Sequence, residues 1–243
     1  MGKIIHKLLY RTLSLKAYLR TVSRLFFLFH RLGIGRYAPA TEYVYHLPEL
    51  VGRGDTAIDI GANLGYYSRP IAQLIGREGH LYSVEPVPEI FEVLQYNMRR
   101  HKFVRLLPYA LGCENKTISM GNDSAPQCGY FGTGQNFVKD SDEPTDVSFT
   151  AQMRRGSELF SDLERLDFVK CDIEGYEWIV MSELRPLIER FHPTVLIETG
   201  GENRPKIIHL FEIMGYEGFT LEHGEERPLT SESEKDIIFR YKD

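Results

Sequence analysis

A short segment of this 243-residue chain combines two glycines with an acidic residue directly before a turn. Residues 57–65 read AIDIGANLG, an apolar stretch that runs into a glycine-containing turn. Gly61 and Gly65 let the backbone approach a ligand closely, because no Cβ atom intervenes. Glu85 follows 24 residues after Gly61 and ends the next apolar stretch, where a carboxylate can accept hydrogen bonds from both hydroxyls of a ribose. The pattern predicts a site for a nucleoside-like ligand.

The charge of the turn indicates which nucleoside it binds. The dinucleotide fingerprint G-x-G-x-x-G has a middle glycine that admits a pyrophosphate, and this turn lacks it. Asp59 places a carboxylate just before the turn, which repels a diphosphate and attracts a cation. S-adenosylmethionine carries a sulfonium, an amine and a ribose but no phosphate. We therefore expect it as the cofactor in preference to NAD.

Residues at these positions converge only if a parallel sheet brings the ends of several strands together. From residue 56 onward, apolar stretches alternate with helical patterns, which is typical of βαβ units with helices on both faces of a mostly parallel sheet. The predicted fold class is α/β. We predict strands at 56–60, 80–85, 103–108, 167–171, 194–198, 216–221 and 236–241, and helices at 41–52, 66–75, 88–101, 176–191 and 205–214.

Two regions depart from the alternation. No helical pattern separates the last two predicted strands, so we expect a hairpin there and one antiparallel edge strand. Residues 112–156 carry six glycines and scattered polar residues, and we predict a long loop that covers the acceptor.

The first 40 residues form a basic segment before the domain at 41–243. Residues 1–41 hold eight of the 29 basic residues and none of the 34 acidic ones, so they carry +8 and the remainder −13. We predict one amphipathic helix over 3–32, because apolar residues recur at three- and four-residue steps. It either packs on the domain, lies through residues 1–35 on an anionic membrane surface, or binds a partner protein. The acidic remainder repels nucleic acid, so we expect no nucleic-acid partner.

Four segments of the chain resemble the FkbM-type S-adenosylmethionine-dependent methyltransferases. They read DIGANLGYYS at 59–68, VEP at 84–86, DFVKCDIEGYE at 167–177 and PTVLIE at 193–198, and the third is the most specific. The resemblance covers about residues 41–200. It implies a Rossmann-like, seven-stranded class I methyltransferase fold and O-methylation of sugars or natural products. Two departures are Cys171, where Ile or Val is usual, and RGSEL at 155–159 in place of a Thr-Leu-Asp sequence.

The resemblance also implies roles for individual residues. Ala110 and Leu111 correspond to a position that lines the adenine, and Asp172 and Glu174 to an acidic pair that faces the methyl group. The predicted cofactor-binding residues are Asp59, Gly61, Asn63, Gly65, Ser68, Glu85, Ala110 and Asp172.

Transfer of a methyl group to an alcohol needs a general base, because an alcohol is a poor nucleophile at neutral pH. Asp172, Glu174 and Glu198 are the predicted catalytic residues. Asp172 and Glu174 are two residues apart, so we expect their side chains on the same side of an extended segment. We expect no metal, since no strong ligand spacing is present.

The sequence thus favours an O-methyltransferase for a hydroxyl of a sugar, polysaccharide or related natural product. Its acceptor would be a small molecule or a glycan. Three cysteines without a C-x-x-C pair, and no apolar run long enough to span a bilayer, favour a cytoplasmic protein, with peripheral contact at the inner face of a membrane as an addition. The alternatives are an N-methyltransferase for a small amine, a membrane-associated binding protein without turnover, and an NAD-dependent oxidoreductase.

Overall fold

A computed structural model describes residues 3–139 and 145–242 of the chain. The strands are, in chain order, β1 (Thr56–Ile60), β2 (His80–Val84), β3 (Val104–Leu107), β4 (Tyr109–Gly112), β5 (Lys116–Asn122), β6 (Phe137–Val138), β7 (Val147–Arg155), β8 (Phe168–Cys171), β9 (Thr194–Ile197), β10 (Tyr216–Glu222), β11 (Glu225–Pro228) and β12 (Ile237–Tyr241). The helices are α1 (Lys3–Thr12), α2 (Leu15–Arg31), α3 (Glu42–Leu50), α4 (Ser68–Ile75), α5 (Pro88–Met98), α6 (Ser124–Cys128), α7 (Gly156–Leu159), α8 (Glu177–Phe191) and α9 (Asn203–Ile213), with a 3₁₀ turn at Gly76–Glu78.

The main sheet has eight strands in the order β11-β10-β12-β9-β8-β1-β2-β3. Strands β3, β2, β1, β8 and β9 are parallel, and Ile60 is paired with both Val84 and Cys171. Because Cys171 is paired in turn with Ile197, the carboxyl ends of β1, β2, β8 and β9 lie along one edge. This edge is where ligands bind in open α/β sheets.

Side chains of the central strands alternate between two apolar cores. In β1, Ile58 and Ile60 pack in one core with residues of α8 and α9, whereas Ala57 packs in the other with residues of α3, α4 and α5. The period of two and the burial of all five β1 residues confirm the predicted α/β fold with helices on both faces.

The carboxyl-terminal strands differ from the prediction in number and order. The sheet has eight strands instead of seven, because β11 forms a hairpin with β10 in the predicted polar connection. The last two predicted strands, β10 and β12, pair antiparallel as expected, but the antiparallel edge strand is β11, and β12 lies in the interior between β9 and β10. Its residues Ile237, Ile238 and Phe239 are almost fully buried, and so apolar a strand is poorly suited to an exposed edge.

The prediction of one loop over 112–156 is wrong for the described residues there. Strand β5 pairs antiparallel with β7, from Lys116 opposite Met153 to Asn122 opposite Val147, in a second sheet with the order β4-β7-β5-β6. Every second residue is buried at Phe149, Ala151 and Met153, as expected for a half-buried strand. Residues 140–144 of the predicted loop lie outside the described residues.

The basic segment forms two helices, so the prediction of one helix over 3–32 is wrong. Ser14 has extended backbone angles and its Oγ accepts a hydrogen bond from Ala17 N, which makes it the N-cap of α2. Tyr18, Leu19 and Val22 of α2 are buried against the second sheet and α5, whereas α1 has no buried residue. None of the described helices is long and apolar enough to cross a bilayer.

Candidate functional site

The turn after β1 brings its backbone into contact with the end of β8. Gly61, Asn63 and Gly65 all have positive φ angles, of 78°, 52° and 88°. A Cβ atom on Gly61 would lie 1.9 Å from the carbonyl oxygen of Asp172. Only glycine therefore fits at position 61, and the turn is fixed beside Asp172.

Glu85 is held by the backbone at the end of β2. Its two carboxylate oxygens accept hydrogen bonds from Asn63 N and Val87 N, both at 2.9 Å. A carboxylate has about four acceptor positions, so two remain for the hydroxyls of a ribose. Burial of Glu85, together with the nearby charges of Asp59 and Asp172, raises its pKa to about 7 against the opposing effect of the two N–H groups.

A narrow crevice lies in front of this turn. One part has a volume of about 60 Å³ and the other about 40 Å³, and both are lined by Gly61 and Asn136. The first part is also lined by Asn63, Glu85, Asp172, Glu174, Thr133 and Gly134, and the second by Ala110 and Leu111. We call the two parts together the turn crevice. Its volume is far below the roughly 300–1,000 Å³ of ligand pockets, and Thr133, Gly134 and Asn136 form one wall of it.

A larger cavity of about 350 Å³ adjoins the carboxyl ends of β8 and β9, and we call it the acidic cavity. The carboxylates that line it are those of Asp172, Glu174, Glu177, Glu198, Glu234 and Asp236. Asp172 and Glu174 line both the turn crevice and the acidic cavity. The two acids thus stand where a ligand in one space meets a ligand in the other.

The family model for the methyltransferase FkbM domain matches residues 59–221, two thirds of the chain. The chain belongs to this family.

Solved structures agree with this assignment at the level of the fold. Methyltransferase FkbM from Methylobacillus flagellatus superposes with a TM-score of 0.51 at 15% identity, over 98% of this chain and 59% of that one. A putative rRNA methylase from Clostridium thermocellum superposes with a TM-score of 0.50 at 9% identity, over 84% of this chain and 97% of that one.

Among curated proteins, a protein-L-isoaspartate O-methyltransferase from Ignicoccus hospitalis is 30% identical over 95 residues, 38% of this chain and 40% of that protein. A protein-L-isoaspartate O-methyltransferase from Archaeoglobus fulgidus has the same identity over 95 residues, 38% of this chain and 39% of that protein. The chain thus spans about two fifths of the length of these curated relatives.

The FkbM family depends on S-adenosylmethionine, and the turn crevice has features that suit this cofactor. Gly61 lines both parts of the crevice, and the carboxylate of Glu85 offers two further acceptor positions. Asp172 lies at the same edge, where its carboxylate can hold a cationic group. No phosphate-binding arrangement is needed, because S-adenosylmethionine contains no phosphate.

Asp59 and Ser68 lie behind the turn, not in the crevice of this FkbM domain. Ser68 Oγ donates a hydrogen bond of 2.5 Å to Asp59 Oδ2, and both side chains are buried. Burial and the nearby Asp172 raise the pKa of Asp59 to about 6, although the Ser68 hydroxyl and Lys170 oppose the shift. The pair links α4 to β1 and so positions the glycine turn, whereas the sequence predicts that both side chains touch the cofactor.

The prediction that Asp172 and Glu174 extend from one straight segment is wrong in its geometry. Glu174 has a φ angle of 47°, in the left-handed region, and Gly175 follows it with 87°. The chain turns sharply here because Gly175 N donates a hydrogen bond to the buried Glu177 Oε1. Asp172 and Glu174 nevertheless face the same two spaces.

Apart from Asp172, the predicted catalytic acids are Glu174 and Glu198, and both have raised pKa values. Burial, then Asp172 and Glu177, raises the pKa of Glu174 to about 7. Burial, then Asp172 and Asp236, raises the pKa of Glu198 to about 8, and a hydrogen bond with Asp172 adds to the shift. Carboxylates with pKa values this close to neutrality are suited to general base catalysis.

Lys170 is a residue of the site that sequence reasoning missed. Its side chain is 1% exposed, and Nζ lies 3.6 Å from Asp172 Oδ2 and donates to the Cys171 carbonyl oxygen at 3.2 Å. Burial lowers its pKa, but the surrounding acids, Asp172 first, shift the net value upward, so it is a cation. The available indication was a lysine in the middle of the apolar strand FVKC, since such a charge is buried only when it is paired.

Proposed function

We propose that this protein is an S-adenosylmethionine-dependent O-methyltransferase whose acceptor hydroxyl binds in the acidic cavity. The observation that carries the proposal is that Asp172 and Glu174 line both the turn crevice and the acidic cavity. A donor in the crevice and an acceptor in the cavity would meet at these two side chains. Such positioning is the main task of an enzyme that joins two substrates.

The cofactor, when bound, supplies an electrophilic methyl group. Glu85 would hold its ribose and Asp172 its amine, with Gly61, Asn63 and Gly65 forming the backbone cradle and Ala110 lining the adenine. Glu174 and Glu198 would orient the acceptor hydroxyl and accept its proton, because their raised pKa values make them stronger bases than ordinary carboxylates.

Charge limits the class of acceptor. Six carboxylates line the cavity, so it disfavours an anionic acceptor and accepts a neutral or cationic one. The curated relatives carry isoaspartate in their names, and such an acceptor presents a carboxylate. We therefore favour a neutral hydroxyl compound, a sugar, polysaccharide or related natural product, over an isoaspartyl peptide.

The negative charge of the acidic cavity also supports a second candidate function, N-methylation of a small amine. A protonated amine is attracted by the cavity, and an acid with a pKa of about 8, such as Glu198, can remove its proton.

Isotopically labelled methyl donor separates these candidates. We would incubate the protein with it and with matched panels of neutral glycans, amines and isoaspartyl peptides, and identify the labelled atom by mass spectrometry. Label on a glycan oxygen is the expected result. Label on nitrogen or on a carboxylate would replace the proposal with the corresponding rival.

A further inference from the structure

Exposed apolar side chains are concentrated in one region of the described chain. Ten large hydrophobic residues are exposed among the described residues, and seven of these lie between positions 4 and 37, with exposures of 48–83%. They are Ile4, Ile5, Leu8, Leu28, Leu32, Ile34 and Tyr37. Single exposed hydrophobic residues are ordinary, but a group of this size marks an interaction surface.

The two parts of this group lie on segments that border one cavity. A cavity of about 410 Å³ between the helices is lined by His6 of α1 together with Phe29 and Ile34. The first turns of α1 and the segment after α2 therefore border one space, while His6 Nδ1 lies 2.8 Å from Tyr18 OH near the start of α2. The exposed side chains of residues 4–8 and 28–37 thus belong to neighbouring segments, and we call them the apolar end.

Positive charge surrounds the apolar end. Lys3, Lys7 and Arg11 alternate with the exposed residues of α1, and Arg31 and Arg36 lie among those of the second segment. No salt bridge within the described ranges involves any of these five side chains. By contrast, Lys16, further along the same region, is paired with Glu92 on α5 at 2.5 Å.

We propose that the apolar end and its five basic residues dock on a membrane surface rich in anionic lipids. The charge decides the occupant, because Lys3, Lys7 and Arg11 lie among the exposed apolar residues of α1 and complement anionic headgroups over an acyl interior. Ile4 and Leu8 enter the headgroup boundary, and the lysines and arginines remain at the phosphates. Helix α2 anchors the surface to the domain through its buried residues Tyr18 and Leu19.

The test is vesicle flotation of the full chain, with phosphatidylcholine vesicles that contain or lack phosphatidylglycerol. The wild type is expected to float only with the anionic vesicles and to be released by salt. The variant Ile4→Ser/Leu8→Ser removes apolar area, and its partitioning is expected to fall at least about tenfold. The variant Lys3→Gln/Lys7→Gln/Arg11→Gln is expected to lose the preference for anionic lipid.

The matched control is Ile213→Ser, which removes an exposed isoleucine from α9. It is expected to float as the wild type does. All three variants change exposed side chains, so their melting temperatures should equal that of the wild type, which keeps a folding defect from imitating a loss of binding. Equal flotation of Ile4→Ser/Leu8→Ser and wild type would overturn the proposal. So would a wild type that fails to float, or a dimer in solution that this double variant dissociates.

Discussion

Lys170 Nζ lies 3.6 Å from Asp172 Oδ2, and it is the buried cation among the acids that end β8 and β9. Three carboxylates, those of Asp172, Glu198 and Asp236, each raise the pKa of Lys170. Without that cation, three carboxylates would repel one another at the edge where the two cavities meet. The lysine therefore allows a cluster of acids to persist in a partly buried place.

Lys170→Met should destabilise the protein by about 2–4 kcal/mol, less than for a fully buried pair because the Asp172 side chain is 33% exposed. The free energy of unfolding in urea measures this. The double variant Lys170→Met/Asp172→Asn should recover part of the loss, since it removes the unpaired charge. Additive losses would show that the two side chains do not interact.

Glu85→Ala should weaken the binding of S-adenosylhomocysteine by about 1–3 kcal/mol, because charged hydrogen bonds to the ribose are lost. Isothermal titration calorimetry measures this. The control is Glu89→Ala, which removes an exposed acid from the first turn of α5. If both variants bind as the wild type does, Glu85 does not hold the cofactor.

Turnover should depend on pH because the carboxylates of Glu174 and Glu198 have raised pKa values. A general base works only when it is deprotonated, so kcat/KM should fall as pH decreases through about 8 and about 7, the pKa values of Glu198 and Glu174. Glu174→Gln and Glu198→Gln should each remove one of these ionisations, and the variant that lacks the base should lose roughly 10²–10⁴-fold in kcat.

Cofactor affinity in these two variants provides the control, and it should stay near that of the wild type. If both variants keep normal turnover and the same pH profile, neither residue is the base.

Tyr18→Phe should loosen the wall of the turn crevice. Tyr18 OH donates a hydrogen bond of 3.2 Å to the Phe131 carbonyl oxygen, two residues before Thr133 of that wall. The variant also loses the contact of Tyr18 OH with His6 Nδ1 at 2.8 Å, and loss of the bond to Phe131, about 1 kcal/mol, should speed amide hydrogen exchange over residues 131–136 roughly fivefold. Exchange mass spectrometry measures this, with the exposed Tyr37→Phe as control. Unchanged exchange would show that α2 does not hold this wall.

The sequence predicted the main sheet well because its central strands are apolar and short. Strand β1 has the predicted bounds, 56–60, and β8 begins one residue later than predicted. The second sheet was missed because the glycines of residues 112–156 favoured the prediction of a loop. The alternation of buried and exposed residues that indicates strands there is carried by Ile118, Met120, Phe149, Ala151 and Met153. The break before α2 was missed because the apolar residues recur at helical spacing on both sides of Ser14. The hydrogen bond that Ser14 accepts as the N-cap of α2 starts a new helix there in spite of this spacing.

The site was predictable where it depends on strand ends and less so where it depends on tertiary contacts. Glu85, Asp172 and Glu198 directly follow parallel strands, so their shared edge follows from the topology. Thr133 and Asn136 reach the crevice only because the second sheet folds over it, which no local pattern reveals. The inward position of Asp59 likewise depends on the burial of its partner Ser68.

The second sheet is a single continuous insertion between β3 and β8, from Tyr109 to Arg155. Its chain leaves the parallel strands once and returns once. Evolution can therefore lengthen, shorten or exchange the segment from Tyr109 to Arg155 as one unit, while the glycine turn and the acids at the strand ends stay unchanged. Such an exchange would change the wall of the turn crevice at Thr133, Gly134 and Asn136, and would leave the lining of the acidic cavity, which comes from residues 172–236, unchanged.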